Sequence, residues 1–296
     1  MAKHDTTAMK PNTTTPSSKN DLVSAGQPSI LVRVQKLSDR PGTPPVDDWV
    51  ASEAPLEVRL GGQPATVLMR TPKHNKKLIR GFLFSEGIVS SAADIASITH
   101  IQASDEQVGG SVIGVELVAP NEAKTLERSF YSNSSCGVCG KQSIASLEVQ
   151  GPIADTAMKV QRSLLGTLPG RLRDAQTTFA KTGGVHASGL FTADGELLAL
   201  REDVGRHNAL DKIIGWAMAE NRLPLSNCVL LLSGRISYEL VQKAVVAAIP
   251  FIAAVGAPSS LAIEVAERFR LTLVGFLRPD SMNVYCHPER IIEESS

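Results

Sequence analysis

NCVLLLSGRISYELVQKAVVAA, residues 227–248, is the stretch from which the fold class is read. Apolar residues run unbroken from Cys228 to Leu232, then break at Ser233-Gly234-Arg235. Beyond the break Leu240, Val241, Ala244, Val245 and Ala248 fall on one face of a helix. The same strand, turn and helix recur in FIAAVGAPSSLAIEVAERF (251–269) and, less regularly, in LLALREDVGRHNALDKIIGWAM (197–218). This alternation predicts an α/β layer around a largely parallel sheet.

The chain upstream reads differently. EAPLEVRLGGQPATVLMRTP (53–72) is two alternating runs about a Gly-Gly turn, a hairpin signal. HNKKLIRGFLFSEGI (74–88) has helical spacing that ends near Gly87. Further alternating segments stand at SVIGVELVAP (111–120) and KTLERSFYSNS (124–134). The expected fold is therefore α/β, α+β overall. A flexible tail of residues 1–45 precedes a small hairpin-rich α+β domain of residues 46–150 and an α/β domain of residues 151–296. The tail contains TTTPSSKN and DRPGTPP and too few bulky apolar groups to offset its ordering entropy, although ILVRVQKL (30–37) can form a first strand. A helical stretch is expected between the cysteine pair described next and about Phe179.

The 296 residues carry 30 basic and 30 acidic side chains, so no overall field draws the chain to nucleic acid or to an anionic membrane. No apolar run reaches the ~18 residues of a membrane span, and MAKHDTTAMK lacks the apolar core of a secretory signal. The cytoplasm is the expected location.

Four cysteines in a chain of this length do not form a disulfide framework. Two of them, Cys136 and Cys139, lie in SSCGVCGK (134–141). A helix beginning just after them, with Lys141, would favour thiolate, and Gly137 and Gly140 would keep the sulfurs accessible. Sulfur or redox chemistry is one reading of the pair. Zinc is another, with Cys286 and His287 completing four ligands. Cys228, before an apolar run, reads as a core residue.

The turns of the second half suit anions. Gly234 and Arg235 precede one helix, Ser259 or Ser260 caps another, and Gly205, Arg206 and His207 open a third. A single such turn is explained by capping; three in one domain, two with arginine, point to a nucleotide or phosphate. TGGVHASGLF (182–191) adds glycines around His186, which could serve as a base, a ligand donor or a satisfied core histidine. Glu202 and Asp203 read as a solvated or ion-paired turn. The G-x-x-x-x-G-K-[ST] phosphate loop is absent.

Taken in order, MRTPKHNKKLIRGFLFSEGI, SSCGVCGK, KTGGVHASGLF, REDVGRHNALDKIIG, SGRISYELVQKA, GAPSSLAIEVA and GFLRPDSMNVY resemble the formate dehydrogenase accessory proteins, the FdhD-type sulfur carriers, over about residues 50–286. The resemblance implies a sulfurtransferase that accepts sulfur from a cysteine desulfurase as a persulfide. It would pass that sulfur to the molybdenum cofactor, a bis(molybdopterin guanine dinucleotide), before insertion into formate dehydrogenase. It also implies a homodimer, a cytidine-deaminase-like fold for the second domain, and GDP as a fragment ligand. By motif, Cys136 would bear the persulfide with Cys139 as its partner. The cofactor loop would be Phe276, Leu277, Arg278, Pro279, Asp280 and Ser281. The guanine dinucleotide would also lie near Gly205, Arg206, His207, Gly234, Arg235, Ser259 and His186. Zinc deaminases carry H-x-E before P-C-x-x-C, whereas here His186-Ala187-Ser188 follows the pair. Deaminase chemistry is therefore not expected. A cofactor chaperone without sulfur transfer, a zinc-stabilised binding module and a dithiol oxidoreductase are the competing readings.

Overall fold

The structure, a computed structural model, describes residues 26–38, 44–101, 110–118 and 149–293. SSCGVCGK and the run at 124–134 lie outside the described residues.

β1 (Ser29–Val34) and β2 (Val46–Ala51) form an antiparallel ribbon in which Leu31 faces Trp49. The strand legible in ILVRVQKL thus forms inside the segment read as a tail, because β2 supplies the partner that alternation alone lacks. The expected hairpin is β3 (Ala54–Leu60) and β4 (Gln63–Arg70), turning at Gly61 and Gly62 with φ of 54° and 81°. Positive φ at both positions is what a two-residue hairpin turn of type I′ requires.

α1 (Asn75–Ser85) follows, and it ends where Gly87 takes φ 71°. With β5 (Ile95–Ile101) and β6 (Ser111–Leu117) the strands form a sheet in the order β4-β3-β6-β5, parallel at β3/β6 and otherwise antiparallel. The apolar face of α1, Leu78, Ile79 and Leu83, closes on Leu56, Val58, Ile113 and Val115, all fully buried.

The expected helical stretch before Phe179 appears, among the described residues, as α2 (Arg162–Ala175), entered through the short β7 (Val160–Gln161) and followed by α3 (Thr177–Thr182). Then come β8 (His186–Thr192), β9 (Leu197–Asp203), α4 (Arg206–Ala219), β10 (Cys228–Leu232), α5 (Tyr238–Val246), β11 (Phe251–Ala254), α6 (Ser260–Arg268), β12 (Thr272–Gly275) and β13 (Asn283–Cys286). A last short strand, β14 (Ile291–Ile292), pairs with β7.

The six-stranded sheet has the order β13-β12-β11-β10-β8-β9. Only β10, β11 and β12 are mutually parallel; β8, β9 and β13 run antiparallel to their neighbours. The expectation of a largely parallel sheet is corrected to a mixed one. Helical crossovers through α5 and α6 return the chain in the same direction, whereas the short β8–β9 and β12–β13 connections can join only antiparallel strands. The helix face expected to include Ala248 also stops early: α5 ends at Val246 and Ala248 turns to φ 57°.

The central strands are buried throughout, which explains their unbroken apolar sequence. α4, α5 and α6 cover one face of this sheet with a core around Leu210, Ile213, Leu230, Val241 and Ile252. α2 covers the other through Leu165, Leu168 and Leu172, packed on Phe191, Val229 and Phe251.

α4 also receives α1, in backbone contact. A Cβ on Gly81 would land on the Asp211 carbonyl, and one on Gly215 on the Lys77 carbonyl, so glycine is required at both. Two buried lysines reinforce the junction. Lys212 Nζ lies 2.6 Å from Asp203 and donates to the Thr71 carbonyl at 3.0 Å. Lys243 Nζ lies 2.9 Å from Asp211 and donates to Ser85 Oγ at 2.7 Å. Burial disfavours charge on Lys243, but Asp211 and Glu86 outweigh it and hold the ammonium protonated. Glu202 and Asp203 are thus structural: Asp203 is fully buried in its ion pair, and Glu202 accepts from the Thr178 and Phe179 amides at the start of α3.

Candidate functional site

Topology gathers the anion-suited turns onto one edge. β10, β11 and β12 all point their carboxyl ends there. β8 runs the other way and so begins there with His186, opposite Asp203 at the end of β9. The helices α4, α5 and α6 start from this edge, with Gly205, Ser237 and Ser259 as their N-caps. Ligands of open α/β sheets bind outside the carboxyl ends of strands, where amide N–H groups and helix dipoles favour anions.

Backbone hydrogen bonds stitch the turns into one surface. Gly256 N donates to Gly234 O at 3.2 Å, Ile236 N to Ala257 O at 3.0 Å and Phe276 N to Gly256 O at 3.0 Å. A Cβ on Gly256 would come within 2.7 Å of Gly234 O, so only glycine lets the second turn lie on the first. Arg235 is exposed and Arg206 half-buried, and among the described residues neither has a carboxylate within ion-pair distance.

The histidines differ in setting. Burial first, and then the nearby Arg206 and His207, push His186 down and favour its neutral form. His207 Nε2 sits 3.4 Å from Ser237 Oγ and 3.7 Å from Glu239. Burial would raise Glu239, but hydrogen bonds from His207 and Ser237 win and bring it to about 2, so it is ionised at neutral pH.

The segment Phe276–Ser281 leaves β12 at this edge. Phe276 takes φ 51° and remains 43% exposed, while Leu277 is buried in the α2-side core. Arg278 donates to the Val255 and Leu277 carbonyls at 2.9 and 2.8 Å. Pro279 lies against Gly166 of α2, and the Asp280 carbonyl accepts from Arg162 at 3.3 Å. The segment is fastened to both neighbours and exposes Arg278, Pro279, Asp280 and Ser281.

Beside the edge, under α2 and α3, opens a cavity of about 500 Å3. His186, Val204, Ser233 and Val255 belong to both the edge and the cavity wall. Its far wall is formed by residues that no sequence pattern marked: Leu172, Arg173, Gln176 and Phe179. A glutamine in RDAQTTFA carries no motif, and it reaches the site only because the α2–α3 junction folds over β8.

Sequence reasoning placed Gly205, Arg206, His207, Gly234, Arg235, Ser259, His186 and 276–281 as site residues, and these come to one edge. The Ser259 hydroxyl is engaged as a cap, accepting from the Ala262 amide at 3.3 Å. Cys136 and Cys139 lie outside the described residues. Of the zinc alternative, Cys286 is buried with Sγ 3.6 Å from the Ile263 carbonyl, and burial with Glu267 pushes its thiol up to about 11. His287 faces Glu289 and Glu267. Among the described residues no group of three His, Cys, Asp or Glu could hold a metal ion. Nor is any helix among them long and apolar enough to cross a membrane.

Mixed sheet and edge together define an α/β protein whose strand ends gather glycine turns, helix N-termini and two arginines. Residues 51–292 match the FdhD/NarQ family, and the chain belongs to it. It is 48% identical over 248 residues to the sulfur carrier protein FdhD of Nocardia farcinica, covering 82% of this chain and 88% of that one. It is 50% identical over 246 residues to the protein of that name from Mycolicibacterium paratuberculosis, covering 81% and 90%. The archaeal protein of that name from Saccharolobus solfataricus is 43% identical over 247 residues, covering 82% and 91%. A crystal structure described as a formate dehydrogenase accessory protein from Desulfotalea psychrophila superposes with TM-score 0.69 at 26% identity, covering 89% of this chain and 99% of that one. The chain is thus a member of a family of sulfur carriers that serve formate dehydrogenase.

Proposed function

We propose that this protein is a sulfurtransferase that carries sulfur on Cys136 and delivers it to a molybdenum cofactor docked, through its guanine dinucleotide, at the strand-end edge. The observation that carries the reading is the convergence of the turns at Gly205–His207, Ser233–Arg235 and Val255–Ser259 and the segment Phe276–Ser281 beside one cavity. A dinucleotide brings phosphates, which suit helix N-termini and Arg206 and Arg235, neither of which has an ion-pair partner among the described residues.

In the first step the Cys136 thiolate attacks the terminal sulfur of a persulfide on a cysteine desulfurase. A new S–S bond forms, the donor's S–S bond breaks, and the donor leaves as thiolate. In the second step Cys139 has two available roles. It can attack the inner sulfur of Cys136, forming a disulfide and releasing the outer sulfur as hydrosulfide to the cofactor, or it can tune the Cys136 thiol. The sulfurated cofactor is the substrate handed to formate dehydrogenase. We place the reaction in the cytoplasm, where thiols are kept reduced, and take a homodimer as the working unit. The second half is read as related in fold to cytidine deaminases. The H-x-E of those enzymes is replaced by His186-Ala187-Ser188, so the relation is one of fold and not of chemistry.

Incubation with a cysteine desulfurase and cysteine, followed by intact-protein mass spectrometry, tests the first step. The expected result is a gain of one sulfur that reductant removes and that Cys136→Ala abolishes. Loading that survives Cys136→Ala would refute the assignment of the carrier thiol.

A further inference from the structure

The solvent face of α1 carries a charge pattern that the fold does not answer. Lys76, Lys77 and Arg80 fall within about 100° of the helix circumference, turned away from the buried Leu78, Ile79, Leu83 and Ser85. The helix NKKLIRGFLFS contains no acidic residue. Lys73 stands just before it, and Arg201, on the edge strand β9, acts on both Lys77 and His74. Among the described residues none of these five cations has a carboxylate within ion-pair distance.

Taken alone, this arrangement is unfavourable. Like charges three and four positions apart on a helix repel, and cations in its first turns oppose its dipole. Burial first, and then Arg201, push the Lys77 ammonium down, and the opposing pull of Glu220 does not restore it. A backbone rule is broken at the same turn, because Lys73 and His74 are consecutive residues with φ of 83° and 59° and neither is glycine. The buried lysines of the same junction are treated differently, Lys212 pairing with Asp203 and Lys243 with Asp211. Local rules broken together on a surface helix mark a place kept for something other than stability.

The patch itself specifies what would answer it. Several carboxylates are needed at the pitch of the stripe, which a helix with acidic residues three and four apart provides. A lipid surface does not fit, because the apolar face of α1 that would enter it is closed in the core against Leu56 and Ile113. Nucleic acid fits poorly for two reasons. The 30 basic and 30 acidic residues leave no steering field, and Phe82 and Phe84, the aromatics of α1, pack on the core and are not free to stack on bases.

We infer that the face of α1 formed by Lys76, Lys77 and Arg80, flanked by Lys73 and Arg201, is a docking surface for an acidic segment of a protein partner. α1 packs on α4, whereas the cavity opens under α2 on the opposite face of the sheet, so the partner can be held without covering the cavity. The inference does not depend on what docks at the strand-end edge.

Fluorescence anisotropy on the full chain tests it. The probe is a labelled helical peptide with glutamate at positions i, i+3, i+4 and i+7, compared with the same peptide carrying glutamine there. At about 50 mM salt the glutamate peptide is expected to bind roughly tenfold or more tighter than the glutamine peptide, and raising salt to about 150 mM should weaken it several-fold. The combined variant Lys76→Gln, Lys77→Gln, Arg80→Gln is expected to lose about tenfold in affinity. A control variant, Lys36→Gln, Arg222→Gln, Arg270→Gln, removes three exposed cations elsewhere and should stay within about twofold of wild type. The urea midpoint of the α1 variant should hold or rise, because repulsion along the helix is relieved. Equal losses of affinity in the two variants would reduce the binding to net charge and overturn the inference. A lower urea midpoint in the α1 variant would assign the stripe to stability instead. Duplex DNA or phosphatidylglycerol vesicles bound more tightly than the glutamate peptide at the higher salt would give the surface to another class of partner. No binding of the glutamate peptide at the lower salt would remove the docking surface.

Discussion

The two faces of the six-stranded sheet are built from the same strands and treated in opposite ways. On the α4 face, helix packs on helix until backbones touch at Gly81 and Gly215, and the buried charges include two close pairs, Lys212 with Asp203 and Lys243 with Asp211. On the α2 face the core is equally apolar near the middle, but at the strand ends packing stops short and leaves a cavity. Stability is concentrated where the packing is complete. The proposed docking place lies where the same sheet is covered incompletely.

Substitutions on the sealed face should cost stability, and substitutions at the open edge should cost binding. The largest effect is expected for Lys212→Met, which leaves Asp203 buried without its counter-ion. Urea unfolding should register a loss of about 3–5 kcal/mol. Adding Asp203→Asn should recover part of it, because the uncompensated charge is removed. Gly215→Ala should cost about 3 kcal/mol by forcing α1 off α4. A loss under about 1 kcal/mol there would mean that the two helices do not lie in backbone contact.

Glu239 sharpens the boundary between the faces, since it sits in α5 yet faces His207 at the edge. Its value of about 2 lies below the ordinary 4.5, so its stabilisation is complete above pH 4.5 and is lost as pH falls toward 2. Wild type should exceed Glu239→Gln by about 2 kcal/mol in urea at neutral pH, and the gap should close near pH 2. A gap independent of pH would assign the effect to packing instead. The smallest change in stability, within about 0.5 kcal/mol, is expected for the exposed Arg235→Ala. Its affinity for GDP should fall about tenfold at low salt and by less at high salt, as for a phosphate contact. A stability loss with unchanged affinity would invert the comparison.

Much of this was legible from short-range pattern. The apolar runs 228–232 and 251–254 are strands because only burial on both faces tolerates such sequence, and the glycines after them mark turns. Gly61-Gly62 announced the hairpin and Ser259 announced a helix start. Strand direction was not legible, since an antiparallel β8 or β13 has the same local composition as a parallel neighbour. Gln176, Arg173 and Phe179 were missed for a related reason. Their common wall exists only after α2 and α3 fold over β8, and nothing in a glutamine's neighbours in sequence encodes that closure. The buried pairing of Asp203 with Lys212 was only half visible, as an ion pair without a partner or a depth.

The sequence by itself determined the elements, the turns with free amides and arginines, and the family, because propensity, hydrophobic period and motif are local or linear properties. The tertiary structure decided which way the strands run, that four separate turns share one edge, and that one face of the sheet is sealed while the other is left open. Those are consequences of how distant segments exclude water from each other, and no segment carries that information alone.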